Sequence, residues 1–388
     1  MYVLMITPNK FPEGDAGAVR DRCFAKIYQD IGYDVVHIGM GRDIKCGEYK
    51  EVEFYSLYKH NASVITKVIN TLSFKKRLKE IFGLIKSKMG IPSLIHIYDL
   101  PKSGIVWAKD YAVRNSVPII HDSVEWYSPC EFKHGRFAYP FLLKERTNTK
   151  LIDKPIAVIA ISSYLEKHFT QKGLKTVRIP VIMDCKEYSP QKRACDTRIK
   201  LVYAGSPAKK DYLRECILAF RRLEPEVRSK FELAIFGADR LFVDTCCGGD
   251  VPSEITVYGR VSRKTVVNKL KESDFSLLLR PNNERYTKAG FPTKSVEAMM
   301  NGCAMICNIT SDLGMYLKHD ENSIIVSDST EEAMYDALIY VSTLENSKLE
   351  KLRKNARITA ECYFDYRKYT DEIRNLIIGL EEEYVNNI

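Results

Sequence analysis

Short apolar runs recur along the chain, separated by longer stretches in which apolar residues return every three or four positions. The runs are Tyr2 to Ile6, Val35 to Ile38, Leu94 to Ile97, Pro118 to His121 and Ala157 to Ile161. They continue with Lys200 to Tyr203, Leu233 to Ile235, Ile255 to Val257, Phe275 to Leu279, Ala304 to Cys307 and Ser323 to Val326. Strand-like runs alternating with helices of about 10 to 20 residues predict parallel sheets in an α/β, doubly wound arrangement. Eleven strands are too many for one such unit, and 388 residues exceed what a single core usually supports. The break falls between Pro180 and Arg198, a polar, aperiodic stretch with two prolines. This predicts a Rossmann-like domain over residues 1–182, a linker over 183–198 and a second Rossmann-like domain over 199–365. In such folds ligands bind outside the carboxyl ends of the strands. The stretch from about Leu349 to Tyr384 has helical composition throughout.

The most specific segment runs from Arg280 to Asn308, RPNNERYTKAGFPTKSVEAMMNGCAMICN. An apolar strand ends in a polar loop, an Ala289-Gly290-Phe291-Pro292 turn leads into a short helix carrying Glu297, and Gly302 precedes another strand. A helix N-terminus presents unpaired N–H groups and a positive dipole end, which suits a diphosphate. A carboxylate one turn further on can accept hydrogen bonds from a pair of sugar hydroxyls. The order GFPTK, VEAMMNG, apolar strand resembles the nucleotide-sugar loop of the GT4 family of retaining GT-B glycosyltransferases. That family usually carries two glutamates eight positions apart. Glu297 matches the second, the ribose ligand; Ala289 stands where the first would meet the transferred sugar. Glu284 could substitute only by a folding back of the loop. A GFPTK loop lacking the first glutamate is similar to a subgroup among bacterial polysaccharide transferases. The plain alternative is a solvated turn followed by a core helix.

The resemblance extends to further loops. It implies a GT-B fold, with two Rossmann-like domains facing a cleft and residues 366–388 returning as a helix onto the first domain. In NKFPEGDAGAVRDRCFA after the first strand, Gly14 and Gly17 allow close backbone approach. The resemblance sets Gly14 and Asp15 against the donor, with Asp15 and Arg20 as acceptor contacts. A structural turn is the competing reading, and the absence of G-x-G-x-x-G argues against a dinucleotide. In VPIIHDSVEW, His121 would contact the transferred sugar and Glu125 the acceptor. Ser162 and Ser163 read as helix caps. In KLVYAGSPAKKDYL, Gly205 and Ser206 stand where the family has a glycine and a cation, so Lys209 or Lys210, helped by Arg280, would neutralise the leaving diphosphate. In ITVYGRVSRKTV, Gly259, Arg260 and Val261 would read the base. Gly290, Phe291, Pro292, Thr293, Lys294 and Glu297 complete the donor set, and His121, Lys209, Lys210 and Glu297 form the catalytic set.

Composition narrows the rest. Apolar content of 45% and charged content of 28% are those of a globular protein. Eleven cysteines without a C-x-x-C pair, with Cys216, Cys303 and Cys307 in apolar segments, argue for reduced thiols and a cytoplasmic setting. The opening MYVLMITPN reads as a strand, without the basic start of a secretion signal, and no apolar run is long enough to cross a bilayer. The net charge of +9 includes a basic stretch with Lys59, Lys67, Lys75, Lys76, Arg77, Lys79, Lys86 and Lys88. Ile65, Val68, Ile69 and Leu72, then Leu78, Ile81, Phe82 and Ile85, recur beside them at helical spacing. Such helices suit an anionic membrane surface, or else they pack inward with solvated lysines. Nucleic acid is disfavoured because no binding motif accompanies the charge.

The expectation is a retaining transferase that moves a sugar from a nucleoside diphosphate sugar to a saccharide or lipid-linked hydroxyl, in polysaccharide or glycolipid synthesis. No bound cofactor is expected, and the lack of a D-x-D motif at a strand end predicts no metal. Two other classes stay open. One is a nucleotide-sugar epimerase, which turns over donor without acceptor. The other is a silent binding or regulatory subunit, suggested by Ala289.

Overall fold

The computed structural model describes residues 1–41, 46–59, 64–191, 198–206 and 210–386. The chain forms two compact units, Met1–Met183 with Tyr366–Ile388, and Asp184–Asp365. Each is an α/β unit of the Rossmann type.

In the first unit the strands are β1 (Tyr2–Lys10), β2 (Asp34–Gly41), β3 (Cys46–Tyr49), β4 (Val52–Lys59), β5 (Leu94–Tyr98), β6 (Ile119–Ser123), β7 (Ala157–Ala160) and β8 (Thr176–Arg178). The order is β3-β4-β2-β1-β5-β6-β7-β8, parallel except for the β3/β4 edge pair. The helices are α1 (Ala16–Asp30), α2 (Val64–Met89), α3 (Lys102–Asn115), α4 (Tyr139–Arg146) and α5 (Ser163–Gln171). Strands β3, β4 and β8 were not among the eleven apolar runs. Two are edge strands, β3 and β8, and β4 mixes buried and half-buried positions with polar residues among them, so none shows a continuous apolar run.

Local chemistry sets the helix ends. Asp15 caps α1 by accepting from the Gly17 N–H at 3.2 Å, and Ser162 caps α5 through the Leu165 N–H at 3.4 Å. In α2, Phe74, Leu78, Phe82 and Ile85 are buried. Phe82 meets Trp107 and Tyr111 of α3 edge-on, at centroid distances of 5.2 and 4.8 Å. Leu78, Phe82 and Ile85 of the apolar stripe therefore pack inward and Ile81 is half-buried, whereas Leu72 is exposed, as are Lys75, Lys76 and Lys79. Arg77 lies 4.8 Å over the Tyr58 ring and donates to the Leu57 carbonyl at 3.1 Å. The side chains of Lys59, Ile65, Lys67, Val68 and Ile69 lie outside the described residues.

The second unit has β9 (Ile199–Ala204), β10 (Phe231–Phe236), β11 (Ile255–Gly259), β12 (Phe275–Leu278), β13 (Ala304–Asn308) and β14 (Ser323–Val326), all parallel, in the order β11-β10-β9-β12-β13-β14. Its helices are α6 (Leu213–Arg222), α7 (Pro225–Arg228), α8 (Arg240–Cys247), α9 (Arg263–Glu272), α10 (Arg285–Ala289), α11 (Thr293–Met300), α12 (Glu331–Val341) and α13 (Asn346–Tyr363). Buried Leu213, Cys216, Ile217 and Phe220 recur at helical spacing along α6. Residues 184–191, in the stretch expected as a linker, belong to this unit: Tyr188 is buried, and the Cys185 N–H donates to Asp365 at 3.2 Å. Residues 192–197 lie outside the described residues.

The chain returns to the first unit at Tyr366, where α14 (Thr370–Asn386) packs beside α1. Lys175 pairs with Glu383 at 2.9 Å, and Lys26 lies 5.7 Å over the Tyr366 ring. The described cysteines are all free thiols, with Cys216, Cys303 and Cys307 buried. Among the described residues no helix is long and apolar enough to cross a membrane.

The packing of α2 is testable. Phe82→Ala should lower the stability of the first unit by about 3 to 5 kcal/mol, the usual cost of emptying a buried aromatic site. Urea unfolding followed by tryptophan fluorescence measures it; a loss below about 1 kcal/mol would mean that the stripe is not core.

Candidate functional site

From β9 the chain winds outward through β10 and β11, then returns to place β12 on the other side of β9. Strand order reverses between β9 and β12, the kind of place where loops leaving the carboxyl ends of a parallel sheet part and ligands bind. Gly205 follows β9, Arg280 follows β12, and α11 begins nearby.

These three segments meet at one carboxylate. Asp211 Oδ1 accepts from Arg280 Nε at 2.8 Å, and Oδ2 accepts from the Lys294 ammonium and from the Tyr203 hydroxyl at 3.2 Å. The Lys294 ammonium also lies 4.7 Å over the Tyr203 ring. Gly205 is required by this approach, because a Cβ there would occupy the place of the Lys294 ammonium. Asn308 fixes the Arg280 backbone, accepting from its N–H at 2.9 Å and donating to its carbonyl at 2.8 Å. Burial pushes the Asp211 carboxyl up, but Lys294 and Arg280 outweigh it and hold the group below the ordinary carboxylate value. Burial pushes the Lys294 ammonium down from the usual lysine value, against the opposing pull of Asp211.

The polar loop ahead of Gly290 folds into the short helix α10. The Glu284 carbonyl accepts from the Thr287 hydroxyl at 2.6 Å, which holds that helix start. Ala289, where the resemblance would expect a first glutamate, is fully buried. Gly290 is extended rather than left-handed. Phe291 anchors the turn against Tyr316 and Phe364, at 5.8 and 5.7 Å between centroids. Among the described residues no side chain caps α11 after Pro292, so its first N–H groups, with Thr293 and Lys294, can face an anion. One turn on, Glu297 Oε1 accepts from Arg263 Nε and Nη2 at 3.0 and 2.7 Å, and Arg263 Nη2 also donates to the Tyr188 hydroxyl at 2.6 Å.

Lys210 Nζ lies 5.7 Å from the Tyr286 ring centroid; Lys209 lies outside the described residues. The Ser206 carbonyl accepts from the Tyr203 hydroxyl at 3.4 Å. Gly259 closes β11 in the left-handed region, at φ +65°, and its carbonyl accepts from the Gly237 N–H at 2.7 Å, while Arg260 and Val261 are exposed. Asp211, Arg263 and Tyr188 were not read as site residues from the sequence. Asp211 and Arg263 sit within quoted motifs and Tyr188 within the stretch expected as a linker, but nothing in their spacing marks them; only contacts between distant segments do.

In the first unit, Gly17 packs so closely on Asn9 that a Cβ would overlap its side-chain amide, and a Cβ at Gly14 would approach the Lys10 carbonyl at 2.9 Å. Arg20 donates to both oxygens of Asp122, at 2.7 and 2.9 Å, and to the Pro180 and Ile179 carbonyls at 2.6 and 3.2 Å. Its buried guanidinium thus ties α1 to the end of β6 and to the backbone at Ile179 and Pro180. His121 is 1% exposed, and burial, with lesser contributions from Lys144 and His96, pushes its pKa down to about 3. The imidazole is neutral near pH 7. Glu125 is half-buried near Asn148, whose amide donates to the Glu125 carbonyl at 3.3 Å.

Among the described residues, Asp184, Cys185 and Asp365 bring three ligand-type atoms within 4.8 Å of one another. Asp184 accepts from the Lys186 N–H at 3.1 Å and Asp365 from the Cys185 N–H, which gives both carboxylates work in holding the backbone.

Two Rossmann-like units with parallel sheets, the second gathering cations at its switch point, define a GT-B architecture. Residues 184–359, almost all of the second unit, match the family model described as Glycosyl transferases group 1. No curated protein sequence matches significantly. Among solved structures, sucrose-phosphate synthase from Thermosynechococcus elongatus superposes with a TM-score of 0.76 at 14% identity, over 98% of this chain and 99% of that one. WaaG, a glycosyltransferase of lipopolysaccharide biosynthesis, gives 0.67 at 13% identity, over 96% and 99%. Anabaena HepE in complex with UDP and glucose gives 0.66 at 12%, over 98% and 100%.

Gly205→Ala tests the central contact. Its Cβ displaces only the end of a flexible lysine, so the melting temperature should change little, within about 4 °C. Lys294 should become more reactive to an amine-acylating reagent, read by mass spectrometry. Unchanged reactivity would place the Lys294 ammonium away from Gly205.

Proposed function

We propose that the chain is a retaining glycosyltransferase that moves a sugar from a nucleoside diphosphate sugar to a hydroxyl acceptor, in polysaccharide or glycolipid synthesis. The observation that carries this reading is the meeting of Lys294, Arg280 and the uncapped start of α11 at the β9/β12 switch point. A diphosphate placed there gains charge as the glycosidic bond breaks, and fixed cations stabilise that change. Lys210 stands on the same loop to assist. Glu297, oriented by Arg263, is suited to a ribose diol, and Gly259 to Val261 to the base. The group 1 match over the second unit and the UDP complex of HepE support a nucleotide sugar as donor. The GFPTK loop is read as a GT4 subgroup mark, and the buried Ala289 methyl as its structural counterpart. Lysine and arginine at the diphosphate supply the charge that a metal would otherwise bring.

In the retaining mechanism proposed, the leaving diphosphate takes the acceptor proton on the face from which it departs, and the anomeric carbon accepts the acceptor oxygen on that face. Incubation with a panel of nucleotide sugars, with and without acceptor extracts, should release nucleoside diphosphate mainly when acceptor is present. Turnover of donor without acceptor would favour an epimerase, and binding without turnover a silent subunit. Glu297→Gln should weaken donor binding by about 1 to 3 kcal/mol, the cost of an impaired charge-assisted hydrogen bond. An unchanged dissociation constant by calorimetry would remove Glu297 from the site.

Exposed Lys75, Lys76 and Lys79 on α2 supply an electrostatic surface for an anionic membrane that would carry a lipid-linked acceptor. Each lysine near such a surface contributes about 1 kcal/mol, screened within roughly 8 Å at physiological salt. Changing all three to glutamine should therefore cut sedimentation with anionic liposomes by on the order of a hundredfold in partition coefficient. Equal sedimentation of the two proteins, or none by either, would favour a soluble acceptor.

A further inference from the structure

We infer that Asp211 is a positioning residue that assembles Lys294 and Arg280 into one receptor for the donor diphosphate, an inference that rests on the function proposed above. Three segments far apart in sequence contribute: the loop after β9, the end of β12 and the first turn of α11. Asp211, on the first of these, bonds to Arg280 and Lys294 on the other two and to Tyr203 of β9, and its own side chain is 6% exposed. A buried carboxylate is costly unless paired, and two cations directed at one place repel each other unless an anion stands between them. Asp211 meets both requirements before any ligand arrives. It leaves the cluster with a net positive charge, since two cations face one carboxylate. An ammonium has three donors, of which Asp211 takes one, so Lys294 can hold Asp211 and a phosphate oxygen together.

The same geometry keeps Lys294 charged. Its ammonium is faced by Asp211 from the β9 loop, Arg280 from the end of β12, Cys216 from α6 and the Tyr203 ring from β9. Burial and Arg280 disfavour the charged form, and Asp211 is the main opposing influence. Burial raises the Cys216 thiol far enough to keep it neutral near pH 7. Without the Asp211 charge, Lys294 would lose its proton at lower pH. Diphosphate affinity, which needs the ammonium, is present below the Lys294 pKa and lost above it, so the alkaline limb of binding should move toward neutrality.

The test uses the full chain and the tightest binder among UDP, GDP and ADP, titrated calorimetrically between pH 6 and 10. Asp211→Asn should bind about tenfold more weakly at pH 7, with its alkaline midpoint about one pH unit or more below that of the wild type. Asp211→Glu should restore most of both, and adding Lys294→Arg to Asp211→Asn should abolish the shifted limb, because arginine does not titrate in this range. Lysine 13C NMR, with Lys294 assigned by its substitution, should show the same lowered midpoint without nucleotide. Wild-type affinity and pH profile in a folded Asp211→Asn variant would overturn the inference while leaving the donor site standing. If the wild type binds none of the nucleotides, the proposed function fails and the receptor role with it, even where NMR shows the Lys294 shift.

Discussion

The reversal of strand order beside β9 is the constraint on which the second unit depends. A parallel sheet sends every loop at its carboxyl edge the same way, and only at the reversal do neighbouring loops part and leave room for a ligand. The chain fills that place with Gly205, Arg280 and the first turn of α11. Concentrating positive charge there is unfavourable for the folded protein on its own, and Asp211 offsets it. Tyr203 beneath and Asn308 at the side then fix the arrangement, so the cations stand ready before a ligand arrives.

The first unit shows the same rule with a different outcome. Asp21 is buried, with Oδ2 accepting from Thr7 at 2.6 Å and Asn9 at 2.9 Å and lying 2.9 Å from His37 Nε2. Burial raises its carboxyl, yet its partners, His37 first, hold it below the usual value. Arg20 and Asp122 form a second closed pair. A buried charge must find a partner within the fold, and the bonds of Asp21, Arg20 and Asp122 hold loops to the sheet.

The departure from the two-glutamate pattern has a structural side as well. Ala289 ends α10 with its methyl buried, and Phe291 locks the following turn onto Tyr316 and Phe364. A glutamate at 289 would need a different α10. Glu297 lies on the more open side, where Arg263 and Tyr188 orient it.

Much of the fold could be read from the sequence, since a strand buried on both faces must be apolar and a helix between strands must be amphipathic. That logic locates the central strands and the Gly290 to Glu297 segment. It passes over β3, β4 and β8, which lie at or near sheet edges and are buried only in part. It also leaves the α2 stripe undecided between membrane and core, because periodicity shows that a face is apolar without showing what covers it; for Phe82 the cover is Trp107 and Tyr111. The glycine loops and the lysines were visible as local motifs, and Glu297 by its spacing from them. Asp211 as the hub of Lys294 and Arg280, Arg263 as the partner of Glu297, and Arg20 as a clamp on Asp122 came only from the tertiary structure. Each joins residues dozens of positions apart, and the pairing of buried charges is settled by which segments the sheet brings together.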